Sequence, residues 1–329
     1  MSADTVPLGF ADLSVPTGSH IGYPYRSEEE RFGNLLDFMC AGLSRGEKCI
    51  TAIPEYSADY VNDGLLTRGI QRPDLPDGQI EILTAEKLFR DSAARNVRAA
   101  VDTFGATMKS SLEEGFAGVR GYTGFSYIYS HREAIRDLLA AECETNDCIR
   151  DAPLTVLCSF SREEMHPKLL DACLQCHPFL TNGASFDVND AYMNPDDFGE
   201  RLSDTMDRLE RQGAFVPPFA ALDFHCGIPV IRACPELDFY TCEKLDDLAN
   251  RMMALDHRRL IVDLSGTTYI DASSIGTLLG IAKALSDRGG ELSVVDSTAP
   301  PRKIFRIVGL EEQIPIYSRL EEAAAPVCA

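Results

Sequence analysis

Residues Leu260–Ile281 read LIVDLSGTTYIDASSIGTLLGI. The run Leu260–Leu264 is short and apolar, as suits a strand buried on both faces, and the turn TTYIDASSIG leads into a helix-like TLLGIAKALSDRG. Outward from this stretch, strand-like ALDFHCGIPVIRAC (221–234) and helix-like TCEKLDDLANRMMAL (241–255) precede it. Strand ELSVVD (291–296), helix IFRIVGL (304–310) and a short strand QIPIY (313–317) follow. Such βαβ units predict a small parallel sheet joined by right-handed crossovers and faced by helices. The region offers no nucleophile with a matched base, no metal-ligand pair and no phosphate-cradling glycine loop.

The 329 residues exceed one ordinary core and suit two domains. Hydrophobic residues at 45% and charged residues at 25% describe a globular chain. With 31 Lys and Arg against 51 Asp and Glu, the formal charge of −20 argues against direct binding to nucleic acid or anionic membranes. The N-terminus has no basic, apolar signal and no segment has the roughly 20 apolar residues of a membrane helix, so a cytoplasmic location is expected. The 11 cysteines follow no framework spacing and are expected to be reduced and mostly buried, without disulfides.

Up to Phe186, apolar runs alternate with amphipathic stretches, predicting an α/β layered domain. Strands are expected at 20–25, 48–54, 79–84, 118–124 and 153–160, with helices at 27–45, 57–68, 93–114, 131–143 and 162–176. After Asn194–Pro195, the residues Phe198, Leu202, Met206 and Leu209 share one helical face, and Pro217–Pro218 ends that helix. The expected organisation is a tail at 1–19, a first domain at 20–190, an amphipathic helix and linker at 191–220, and a second domain at 221–329.

The C-terminal segments LIVDLSGTTYIDASSIGTLLGI and IFRIVGLEEQIPIYSRLEEA resemble the STAS domains of anti-anti-sigma factors. The resemblance implies a STAS-type α/β domain in which Ser273 is the phosphorylated serine, while Asp271, Gly276 and Thr277 face the partner. Ala272 and Ser274 depart from the family pattern, and Ser274 thereby becomes a second candidate acceptor. By resemblance the partner is an anti-sigma factor that is also a serine kinase, held by the unmodified domain. Independently, a serine opening a helix exposes its hydroxyl, and phosphate there meets the unpaired N–H groups of the first turn. The added charge of about −1.5 to −2 breaks a packed acidic interface. The competing role for Ser273 is a plain N-cap.

The N-terminal SHIGYPYRSEEERFGNLLDFMCAGLSRGEKCITAIPE, with GVRGYTGFSYI and LTVLCSFSREEMHPKLLDACLQCHPFL after it, resembles the methanogen and methylotroph sensory (MEDS) domain. This implies a RecA-like α/β sandwich with a mainly parallel sheet and a sensory role for a small molecule. Gly42-Leu-Ser-Arg-Gly46-Glu-Lys48 lacks the spacing of a phosphate loop. Beyond the C-terminal strand ends, Tyr25, Glu55, Tyr122 and Ser126 are candidate ligand residues, with His20 inside the first strand. For His20 and Tyr25 the alternative is a hydrogen-bonded core residue. Cys173-Leu-Gln-Cys176-His177 matches a haem-attachment pattern, but a buried structural role is expected, and no metal site is assigned. A zinc or redox site adding Cys143, Cys148 or Cys158 is the alternative.

The chain is thus expected to be a signalling regulator and not an enzyme. Its cofactor is unassigned, and the 198–209 helix either packs, transmits or makes a homodimer. Two other readings stay open: an atypical nucleotide- or redox-active first domain, and a stressosome-like scaffold.

Overall fold

The structure, a computed structural model, describes residues 5–88, 97–129, 131–150, 152–215, 220–296 and 299–328, and the side chains of all of these but 127, 299–303 and 326–328. The chain forms two compact units, Met1–Pro54 with Ala58–Thr84 and Asn96–Phe215, and Glu55–Ser57 with Ala85–Arg95 and Val216–Ala329.

In the first unit, β1 (Thr5–Pro7) pairs antiparallel with β2 (Ser14–Pro16). Val6, Leu8, Phe10 and Val15 are buried here, so part of the expected tail is a packed ribbon. Then come β3 (His20–Tyr25), α1 (Glu28–Leu43), β4 (Lys48–Ala52), α2 (Ala58–Thr67), β5 (Ile80–Ile82) and α3 (Ala85–Leu88), the last grouped with the second unit. The chain continues through α4 (Val97–Ser111), β6 (Val119–Thr123), α5 (Arg132–Ile149), β7 (Leu154–Ser161), α6 (Pro167–Gln175), β8 (Phe179–Thr181), β9 (Phe186–Val188) and α7 (Pro195–Arg211).

The seven strands run β5-β4-β6-β7-β3-β8-β9, all pairs parallel except β8–β9. Every residue of β3, β4, β6 and β7 is buried, as a parallel sheet covered on both faces requires. The expected α/β class and mainly parallel sheet are therefore observed. Helix α7 opens on Asn194, whose side chain accepts the Asp197 amide, and packs on α5 and α6 with Phe198, Met206 and Leu209 buried. Its apolar face is thus occupied by its own unit.

The second unit holds β10 (Ala220–His225), β11 (Ile228–Ala233), β12 (Glu236–Leu237), α8 (Cys242–Ala254), β13 (Arg259–Asp263), β14 (Tyr269–Ile270), α9 (Ala272–Ser286), β15 (Glu291–Val295), α10 (Ala299–Val308), β16 (Ile316–Tyr317) and α11 (Leu320–Cys328). The segment read as one strand-like stretch is a hairpin. Cys226 at φ 48° and Gly227 at φ 77° turn the chain, and β10 pairs antiparallel with β11. The expectation of no disulfides fails at Cys226, which is disulfide-bonded. The sheet runs β10-β11-β13-β15-β16, parallel from β11 onward, and β12 pairs with β14 as a separate short ladder. Ile228, Val230, Ile261 and Val295 pack with Ala323 and Ala324 of α11 in one core cluster.

Candidate functional site

The turn from β14 into α9 is built around one carboxylate. Asp271 Oδ1 accepts the Ser274 amide at 2.9 Å, so Asp271 is the N-cap and Ser273 lies inside the first turn, which corrects the plain-cap expectation for Ser273. The same oxygen accepts the Ser273 hydroxyl at 2.6 Å, and Oδ2 accepts the Phe239 amide at 3.2 Å. The Ser273 hydroxyl, followed by the Ser274 amide, holds the Asp271 carboxyl down at about 2. The group is a fixed anion at neutral pH.

The two candidate serines occupy different environments. Ser274 is fully buried, with its hydroxyl 2.8 Å from both the Leu237 carbonyl and Asp271 Oδ1. Ser273 is half-buried at the surface. Gly276 is exposed, and a Cβ there would meet nothing within 4 Å, while Thr277 is half-buried. The fold itself therefore does not demand glycine at 276.

Sequence reasoning missed the aromatic rim of this turn. Phe239, Tyr240 and Tyr269 are 68%, 81% and 54% exposed. Leu237↔Ile270 and Glu236↔Tyr269 pairing of β12 with β14, and the Phe239 amide on Asp271, bring residues about thirty positions apart to one place. Exposed aromatics clustered beside a smooth helix start have the composition of a protein-binding surface.

In the first unit, the candidates separate into groups. Tyr25 donates to Glu28 Oε1 at 3.0 Å and Tyr122 donates to the Arg31 carbonyl at 3.3 Å. Buried Arg31 lies 5.0 Å over the Tyr25 ring and donates to Ser159 Oγ at 3.2 Å. Gly124 leaves it that space, since a Cβ there would fall 2.4 Å from the guanidinium. Arg31 was not singled out from sequence. Ser126 is buried at the start of a 3-10 turn, and Glu55 is buried in the second unit. A cavity of about 500 Å³ lies between α4 and α5, lined by Arg98, Asp102, Lys109, Glu144 and Cys148 among others, and includes none of these candidates.

His20 joins a separate buried group. Its Nε2 lies 3.1 Å from Glu142 Oε2 and 3.3 Å from Cys158 Sγ, and its Nδ1 lies 3.1 Å from Asn146 Oδ1. His177 Nε2 is 3.5 Å from the same Glu142 oxygen. Burial, then His177, lowers the His20 pKa, while burial raises that of Cys158. Of the named cysteines, Cys158 meets His177, Cys143 lies with its sulfur 3.2 Å from that of Cys176, and Cys148 is exposed. Glu142 lies within the helix expected at 131–143, which continues to Ile149 as α5, and it was missed because an acid near a helix end reads as solvent-facing. The signal was an acid spaced three and four residues from Leu139 and Leu138 on an apolar face.

A helix start presented beside a five-stranded α/β sheet, joined to a second α/β unit, defines a two-domain protein with a STAS-type regulatory module. The STAS domain model matches residues 220–323, and the model described as MEthanogen/methylotroph, DcmR Sensory domain (MEDS) matches 19–178. An anti-sigma-B factor antagonist of Staphylococcus aureus is 30% identical over 77 residues, 23% of this chain and 71% of that protein. An anti-sigma F factor antagonist of Paenibacillus polymyxa is 27% identical over 100 residues, 29% of this chain and 83% of that protein. A solved anti-sigma factor antagonist from Mycobacterium paratuberculosis aligns over 33% of this chain and 93% of its own, with 23% identity and a TM-score of 0.31. The chain belongs to the anti-sigma factor antagonist family through its STAS domain and carries an N-terminal MEDS domain. Among the described residues no helix is long and apolar enough to cross a membrane.

Proposed function

We propose that this chain is a cytoplasmic regulator, not an enzyme, whose unmodified STAS domain binds an anti-sigma factor with serine-kinase activity and so releases a sigma factor. Ser273 is the phosphoacceptor and the MEDS domain supplies the sensory input. The observation that carries this reading is the half-buried Ser273 hydroxyl, 2.6 Å from an ionised Asp271 and flanked by exposed Phe239, Tyr240 and Tyr269. Burial of Ser274 leaves Ser273 as the serine a kinase reaches.

Phosphorylation breaks the Ser273–Asp271 hydrogen bond and sets a phosphate of about −1.5 to −2 beside the capping carboxylate, in the middle of the aromatic rim. Partner release follows from desolvating that charge against an apolar surface. The test incubates the full chain with a kinase-type anti-sigma factor and ATP, maps the phosphopeptide, and measures affinity for Ser273→Asp and Ser273→Ala. The expected result is phosphate on Ser273, loss of binding in the aspartate variant and retention in the alanine variant. Phosphate elsewhere, or unchanged affinity of Ser273→Asp, overturns the assignment.

A further inference from the structure

We propose that His20, Glu142, Cys158 and His177 form a site for one divalent transition-metal ion, zinc by its donor set. The residues come from four places in the first unit: the start of β3, α5, the middle of β7 and the segment after α6. Their four ligand atoms lie within 4.8 Å of one another and all four residues are buried. Donors bound to one ion at about 2.0–2.3 Å in a tetrahedron stand about 3.3–3.8 Å apart. Four of the six separations, at 3.1, 3.3, 3.4 and 3.5 Å, are close to such edges, and the other two lie within 4.8 Å.

The proton inventory points the same way. Asn146 Nδ2 donates to the Cys176 carbonyl at 2.8 Å, which turns its Oδ1 toward His20 as an acceptor. His20 Nδ1 is therefore the protonated nitrogen. His177 Nδ1 faces the Cys173 carbonyl at 2.9 Å and is protonated for the same reason. In neutral rings both Nε2 atoms then carry bare lone pairs, and both face the Glu142 carboxylate. His177 Nε2 makes no hydrogen bond although fully buried. Three acceptors share a single thiol proton, an arrangement that is costly in a dry interior and is resolved by one cation among them.

A backbone carbonyl and an amide oxygen fix the two imidazoles with Nε2 inward, the usual arrangement for zinc-bound histidines. Gly22 keeps room for one of them, because a Cβ there would come within 3.2 Å of His177 Cγ. Charge balances: binding a divalent ion releases the Cys158 thiol proton to solvent, and the thiolate and the Glu142 carboxylate together neutralise the metal. Two nitrogens, one sulfur and one oxygen suit zinc. Four protein ligands in a closed interior fit a metal held for stability or sensing rather than hydrolysis. A void of about 10 Å³ beside Glu142 and Cys158 is walled largely by Val101, Phe104, Phe125 and Val156.

The test uses the full-length chain, stripped by a chelator under reducing conditions and titrated with Co²⁺. One equivalent per chain should produce tetrahedral visible bands and a thiolate-to-cobalt charge-transfer band, both removed by one equivalent of Zn²⁺. Cys158→Ser should abolish the charge-transfer band with the far-ultraviolet circular dichroism unchanged, and exposed Cys148→Ser should leave it intact. Asn146→Ala should weaken Zn²⁺ binding by about 10- to 100-fold. Substoichiometric uptake by the wild-type chain overturns the site whatever the variants do. So does a charge-transfer band that survives Cys158→Ser or disappears in Cys148→Ser.

Discussion

At the scale of single residues, Asp271 caps α9, holds the Ser273 hydroxyl and accepts the Phe239 amide. The adjacent serines should consequently separate stability from signalling. Ser274→Ala removes a fully buried hydroxyl and should cost about 1 kcal/mol in urea unfolding, while Ser273→Ala should cost less and abolish phosphorylation. Because the folded Asp271 is depressed to about 2 from 3.8, its contribution is fully present above pH 3.8 and is lost as pH falls through about 2. Asp271→Asn keeps a good cap without a titrating group, so the stability difference between wild type and this variant should change across that window and be flat above it. A difference that instead shifts between pH 5 and 8 contradicts the assigned pairing. Asp271 and Ser273 were legible because they lie in one contiguous motif. The Phe239 and Tyr240 rim was not, since it depends on a two-residue ladder between β12 and β14 too short to leave a periodic signal. His20 and His177 were each visible as residues, yet only packing of β3, β7, α5 and α6 brings Glu142 and Cys158 to them.

At the scale of elements, the long buried strands and amphipathic helices followed from sequence because each repeats its pattern over several turns or pleats. β3 was expected at its observed bounds, and α1, β4, β6 and β7 within a few residues. The short pieces did not declare themselves: β1 and β2 are three residues each, and the β10–β11 hairpin depends on two consecutive positive-φ residues, one of them a cysteine. Helix α9 provides an element-level prediction. Its exposed Gly276 has open space above it, so Gly276→Ala should stabilise the helix by about 0.5–1 kcal/mol. The same methyl should weaken anti-sigma factor binding if the partner lies close on this face. A variant that gains thermal stability and keeps full affinity would move the interface away from Gly276, toward the aromatic rim alone.

At the scale of the whole molecule, the chain builds two cores, one under a seven-stranded sheet and one under a five-stranded sheet. Each unit contains a glycine whose replacement should damage it selectively. A Cβ on Gly290 would lie 2.1 Å from the Arg258 carbonyl oxygen, a backbone atom that has little room to yield. A Cβ on Gly121 would lie 2.6 Å from Phe104 Cζ and 2.9 Å from Met108 Sδ beneath α4. Overpacking of this kind costs about 1–3 kcal/mol. In calorimetry, Gly290→Ala should lower the transition of the second unit by about 4 °C per kcal/mol, and Gly121→Ala that of the larger first unit by about 2–4 °C per kcal/mol. Two transitions that respond separately mean each core holds its own unit together. A single transition lowered alike by both substitutions would mean that the two units unfold as one cooperative body, and a loss of stability at either end would then be felt at Ser273.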